Sequence, residues 1–315
     1  LRLVGSEMCI RDRTIRGGGR MMNIVQLREP QEIKAFIDSS RYLSTSYLYK
    51  LPQEYEDFDT LLNEAITHPG VIAMTENNQI QALILAFSYD NHRYKIIGPF
   101  IAQDFTLTDN QFKLLFDKLI EQQPDESIFN FSFEEGAQEY KTYMKTIHAS
   151  YNFTDYYLEA QKDLGDHFNN QNIIEYQKGF YRAFSKLHMM TFKHNAMTPD
   201  EIIESLDEHN RLFIFVSEGL LKGYLYLQVD TERNNAEIKY FSSHMDYRLK
   251  GIAFDLLEYA LKYAFEHYTI HKVYFKIRNK NSKLVERFNE LGFQINYEYK
   301  KYKFEPRHLH QDFSS

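Results

Sequence analysis

Tyr247-Arg248-Leu249-Lys250-Gly251-Ile252-Ala253 follows a strand-like run at 235–243 and opens directly into a long apolar-periodic segment. A chain that turns from strand to helix through a glycine leaves the first helical N–H groups without intrahelical acceptors. The aligned peptide dipoles add positive potential at that end, so an anion, above all a phosphate, docks there. Gly251 lets the main chain come close, and Arg248 and Lys250 put positive charge at the rim. Taken alone, the segment also reads as an ordinary strand-to-helix turn.

The flanking periodicities go further. Phe254, Leu257, Leu261, Ala264 and Phe265 fall near one helical stripe. Lys272-Val273-Tyr274-Phe275-Lys276-Ile277 alternates as a strand, and Asn279-Lys280-Asn281-Ser282 reads as a turn or cap. A helix over 283–291 is stopped by Gly292, and 293–300 alternates again. With the spacing Arg-x-x-Gly-x-Ala, this order resembles the back half of a GNAT acyltransferase domain. The run from Asn281 to Phe293, ending Leu291-Gly292-Phe293, resembles the second motif of that family.

The resemblance implies acetyl-CoA as cosubstrate. Its diphosphate would lie on Arg248, Leu249, Lys250, Gly251, Ile252 and Ala253, and Asn281 would reach the pantetheine arm. The main chain at Ser243 and Met245 would meet the thioester, although the family usually has valine and proline there. The family's general acid, a tyrosine, corresponds to Phe288, which has no proton to give. Glu237, eleven residues before Arg248, occupies a place where many relatives carry a general base. A carboxylate in a partly desolvated cleft suits that task; the competing reading is a solvent-facing glutamate beside the Asn234-Asn235 turn.

Composition sets the bounds. The 315 residues are 43% hydrophobic and 26% charged, enough for about two domains. A net charge of −7 argues against a general nucleic-acid partner. No apolar run approaches the roughly 18 residues of a membrane span. Cys9 is the single cysteine, so thiolate catalysis and cysteine zinc sites fall away for the folded body. His188 and His194 read as helix-end packing, with no metal assigned. A cytoplasmic protein is the simplest expectation.

The pattern runs twice. Residues 1–20, Arg-rich with Gly17-Gly18-Gly19, read as a leader foreign to the fold, resembling translated adapter sequence. Residues 21–162 and 163–315 each read as helix, helix, three strands, helix, strand, helix, strand. The expected fold is therefore α/β in the α+β sense: two tandem GNAT-like domains, each a mixed, mostly antiparallel twisted sheet flanked by helices. In the first, Asp104 and Asp109 stand where a diphosphate would lie and would repel it. That half is expected to be degenerate in cofactor binding, serving as structure or as one wall of an acceptor cleft.

The function the resemblance implies is acyl-CoA-dependent N-acyl transfer, acetyl to an amine of a small molecule or peptide. The alternative is a non-catalytic acyl-CoA sensor or scaffold, motivated by Phe288. Aminoacyl-tRNA-dependent tandem relatives rank third, because they lack a CoA loop. Homodimerisation stays open, and the acceptor is not named by any spacing.

Overall fold

The computed structural model describes residues 13–17, 20–42, 58–161, 170–193, 196–246, 251–278 and 282–306. Arg248, Leu249, Lys250, Asn281 and His194 lie outside them. The chain divides into two compact units, 1–153 with 299–315, and 154–298. This division departs from a single cut at 162/163. The strand entering the second unit starts earlier, and the last strand returns to the first.

In unit 1 the elements are β1 (Arg13–Gly17), β2 (Arg20–Gln26), α1 (Pro30–Ser39), β3 (Arg41–Tyr42), α2 (Phe58–Thr67), β4 (Val71–Glu76), β5 (Gln79–Asp90), β6 (Arg93–Ile101), α3 (Asp109–Ile120), β7 (Ile128–Glu134) and α4 (Gln138–Thr146). Next come β8 (Ser150–Ala160), β9 (Ile173–Glu175), α5 (Tyr181–Thr191), α6 (Pro199–Glu204), β10 (Asn210–Ser217), β11 (Leu220–Asp230) and β12 (Asn235–Ser243). The chain ends through α7 (Ile252–His267), β13 (Lys272–Arg278), α8 (Ser282–Glu290) and β14 (Gln294–Phe304).

Unit 1 pairs β1 to β2, β2 to β4, β4 to β5 and β5 to β6, all antiparallel. β6 runs parallel to β7, and Tyr299–Phe304 of β14 pairs antiparallel with β7. Residues 13–17, expected to stand outside the fold, are thus a strand: extended backbone beside an open strand edge finds ladder partners there. Tyr302 and Phe304 carry the last strand into the unit 1 core, packing on Phe133 and Phe116. One core lies under α3 and α4, another under α1 and α2.

In unit 2, residues 155–160 of β8 pair antiparallel with β13, and β13 runs parallel to β12. β12, β11, β10 and β9 then follow antiparallel. One face is covered by α7 and α8 through Leu256, Leu257, Leu261, Val285 and Phe288, packed on Leu225, Leu227, Ala236 and Phe275. The other carries Phe184 and Leu187 of α5 and Ile202 of α6 against Leu212, Tyr224, Tyr226 and Tyr240. The buried stripe of α7 is Ile252, Leu256, Leu257, Ala260, Leu261 and Ala264. Phe254 and Phe265, expected within that stripe, are partly buried at its margins. Thr198 and Glu201 close a capping box on α6, with Pro199 in its first turn. Among the described residues no helix is long and apolar enough to cross a membrane.

Candidate active site in unit 2

β12 and β13 pair at Asn235↔Lys272, Ala236↔Val273 and Glu237↔Tyr274, where the described ladder ends. Two residues later β12 bulges: Ile238 faces Leu227 but Tyr240 faces Tyr226, so Lys239 is the extra residue. The bulge exchanges the faces of the strand. Ala236 and Ile238 pack under α7, whereas Tyr240 packs under α5 and α6, and Phe241 returns to the α7 side.

Main-chain direction follows from the same strand. The His244 N–H donates to Lys222 O on β11 at 2.9 Å. With a period of two, Ser242 and Tyr240 also turn their amides to β11. Phe241 and Ser243 therefore turn theirs toward the side from which β13 has parted. Ser243 is the last residue of β12. Met245 lies beyond the strand in a single 3-10 turn and is 63% exposed. Phe241 was not legible as a site residue, because the bulge that aims it appears only in the register with β11.

α7 starts from Gly251, whose φ of 77° is left-handed and whose lack of a side chain leaves no side-chain cap. The first intrahelical bond runs from Asp255 N–H to Gly251 O at 2.9 Å, so the amides of Ile252, Ala253 and Phe254 precede the ladder. A Cβ built on Gly251 meets nothing within 4 Å. The start of the helix is pressed onto the sheet at Gly223, where a Cβ would stand 2.8 Å from Ile252 Cγ2 and 3.0 Å from Ser242 O. A diphosphate fits this start: amides that precede the intrahelical ladder, the positive end of the dipole and a glycine cap coincide. Asp255 in the first turn opposes it. Burial holds its carboxyl above the ordinary range, while the Asn170 amide, 3.0 Å away, and the Arg287 charge pull it down.

Glu237 is half-buried on the face opposite α7. It stands in a row of in-register side chains across five strands: Asn210, Gln228, Glu237, Tyr274 and Glu159. Gln228 Nε2 donates to Asn210 Oδ1 at 3.2 Å and to the Tyr226 hydroxyl at 3.1 Å. Glu159 accepts from Lys272 Nζ and Asn296 Nδ2, both at 3.1 Å. Burial raises the Tyr240 hydroxyl pKa, the Met197 N–H lowers it, and the Glu237 charge raises it further. Phe288 is fully buried, edge-on to Phe275 with ring centroids 5.3 Å apart.

Unit 1 has the same parting without the same opening. β6 and β7 pair only at Arg93↔Ile128, Tyr94↔Phe129 and Lys95↔Asn130. Beyond that, Tyr140 of α4 donates to Gly98 O on β6 and stacks on Phe133 of β7, so one side chain bridges the parted strands. The start of α3 is closed by a capping box: Thr108 Oγ1 accepts from Gln111 N–H and Gln111 Oε1 accepts from Thr108 N–H at 2.9 Å. Tyr143 donates to Leu107 O at 3.0 Å, and burial pushes its pKa up to about 12.

The profile of the Acetyltransferase (GNAT) family matches residues 173–293. The match runs from β9 to Phe293, and the likeness to solved structures shows a tandem GNAT-like fold for the chain. Among curated proteins no sequence matches. The chain is similar in structure to a tandem GNAT protein from the clavulanic acid biosynthesis pathway, described as without AcCoA. Identity there is 10%, TM-score 0.55, with 90% of this chain and 98% of that one covered. A GNAT acetyltransferase from Colwellia psychrerythraea gives 13%, 0.54, 94% and 100%. A putative acetyltransferase from Pyrococcus horikoshii gives 11%, 0.53, 95% and 93%.

Proposed function

We propose that unit 2 transfers an acetyl group from acetyl-CoA to an amine of a small molecule or peptide. The observation that carries this is the start of α7 at left-handed Gly251, without a side-chain cap and seated on the sheet at Gly223 beside Ser242 of β12. Acetyl-CoA supplies the activated acyl group. The amides of Ile252, Ala253 and Phe254 hold its diphosphate, with Arg248 and Lys250 as the flanking cations. Phe241 and Ser243 turn N–H groups toward the parted side, where they polarise the thioester carbonyl. Glu237, on the α5 and α6 face, takes the proton of the acceptor ammonium through water. Phe288 offers no proton, so the departing thiolate is protonated by solvent.

Calorimetry with acetyl-CoA tests the helix start. Gly251→Glu should abolish binding, and unchanged affinity in that variant would defeat the proposal. Thiol release with polyamines, aminoglycosides, amino acids and peptide N-termini tests turnover. The burial of Phe288 favours a second reading, a non-catalytic acyl-CoA sensor. Tight acetyl-CoA binding with no thiol release for any amine would select it.

A further inference from the structure

α5 carries one histidine into the core of unit 2. His188 is 1% exposed, with Nε2 2.8 Å from the main-chain oxygen of Met197 and Nδ1 2.6 Å from the Tyr224 hydroxyl on β11. A carbonyl only accepts, so Nε2 carries the hydrogen. In the neutral ring Nδ1 is then a lone pair, to which Tyr224 donates. Burial holds the imidazole pKa below its ordinary value, against a smaller upward pull from Met197.

Met197 is gripped at its other end as well. Its N–H donates to the Tyr240 hydroxyl on β12 at 3.0 Å. One residue before α6 is therefore held by its C=O from α5 and by its N–H from the bulged strand. The rings close the same joint: His188 stands edge-on to Tyr240 at 5.1 Å, and Phe192 packs on both. A second tie joins α5 to the strand, Thr191 Oγ1 to Ser242 Oγ at 2.9 Å. Tyr240 and Ser242 alternate with Phe241 and Ser243, the two residues whose amides face the parted side.

We propose that His188 is a positioning residue for the transfer: through Met197 it clamps the α5 side, the face that carries Glu237, onto β12. Past Glu237 the strand has ladder partners on β11 alone among the described pairings, so its outer edge depends on what holds its face. Core filling by itself would need only a ring of this size. The bond from His188 to Met197 O and the bond from Met197 N–H to Tyr240 instead fix one residue relative to one strand, while the Tyr224 bond orients the imidazole. Misplacement by about 1 Å far from the reacting atoms can lower a rate on the order of 100-fold.

The inference rests on the reading of unit 2 as an acyltransferase, and its test separates the two. His188→Phe keeps the ring and removes both bonds, while His188→Gln keeps an N–H donor near the Nε2 position. Amide hydrogen exchange at Met197 should speed about tenfold or more in His188→Phe, with α7 unchanged. Acceptor kcat/KM should fall about 10- to 100-fold while acetyl-CoA affinity stays within about twofold, and His188→Gln should recover most of the loss. Wild-type exchange at Met197 in His188→Phe, or unchanged acceptor kcat/KM, would overturn the proposal; so would a loss that His188→Gln does not recover. Should His188→Phe fail to fold, Tyr240→Phe removes the acceptor of the Met197 N–H and is expected to give the same exchange signature. A wild-type protein without acetyl-CoA binding would defeat the acyltransferase reading, while the exchange experiment would still judge the clamp.

Discussion

Glu237 faces Tyr274 at the last described pair between β12 and β13, and two residues further the first strand bulges at Lys239. The carboxylate thus sits at the end of the shared ladder, two residues before the faces of the strand exchange. In the proposed reaction a base so placed meets an acceptor on the α5 side while the Phe241 and Ser243 amides turn to the parted side, where the thioester would lie. Glu237→Gln should lower kcat/KM about 10²-fold at neutral pH, and the deficit should shrink as pH rises and the amine loses its proton unaided. Parallel pH–rate profiles for the two proteins would remove Glu237 from the mechanism.

Much of this site was written in local sequence. The alternation over 235–243, the glycine before a long apolar stripe and the order of elements named a strand and the helix start, while the parting of that strand was implied only by the family resemblance. What stayed hidden depends on register between distant segments. Phe241 becomes a site residue only because Lys239 is an extra residue against Tyr226 and Leu227. The crossing of the last strand into unit 1 was equally illegible, because the alternation over 293–300 states that a strand exists and not which neighbour it takes. The closure of the unit 1 cleft had a partial signal in Asp104 and Asp109. Its main cause, Tyr140 bridging Gly98 and Phe133, joins residues far apart in the chain.

Gly223 is where the start of α7 meets the sheet. An added Cβ would lie 2.8 Å from Ile252 Cγ2, 3.0 Å from Ser242 O and 3.1 Å from Leu256 Cδ1. Two of these atoms belong to the first turns of the candidate phosphate helix, and the third is backbone of β12. Gly223→Ala should therefore destabilise by about 1–3 kcal/mol and lower the melting temperature by several degrees. Acetyl-CoA affinity should drop with it, since the helix start is displaced. Thermal unfolding alongside calorimetry checks both; wild-type values for the pair would show that α7 seats elsewhere.

Asp255 is the one acidic residue in the first turn of α7. Its folded-state pKa is raised, chiefly by burial, against an ordinary 3.8. The sign follows from linkage: its contribution to stability is present below pH 3.8 and is lost as pH rises through the raised value. At neutral pH the charged carboxylate is a liability near a bound diphosphate. Asp255→Asn keeps an acceptor oxygen for the Asn170 amide and should tighten acetyl-CoA binding by roughly two- to fivefold at low salt, less at high salt. Titration calorimetry at two ionic strengths measures this, and weaker binding in the variant would contradict it.

Phe288 stands where the resemblance places a tyrosine acid, and restoring the hydroxyl is the obvious attempt at a faster enzyme. Here the ring is wholly buried, with Phe275 and Phe288 edge-on and Phe293 packed on Phe275 from 4.8 Å. Phe288→Tyr therefore puts a hydroxyl among aromatic carbons, where an unpaired group costs about 1–3 kcal/mol. The expected result is lower stability with kcat unchanged. A tenfold or greater rise in kcat would mean instead that the hydroxyl reaches the thiolate, and that solvent is a poor substitute for a missing side-chain acid.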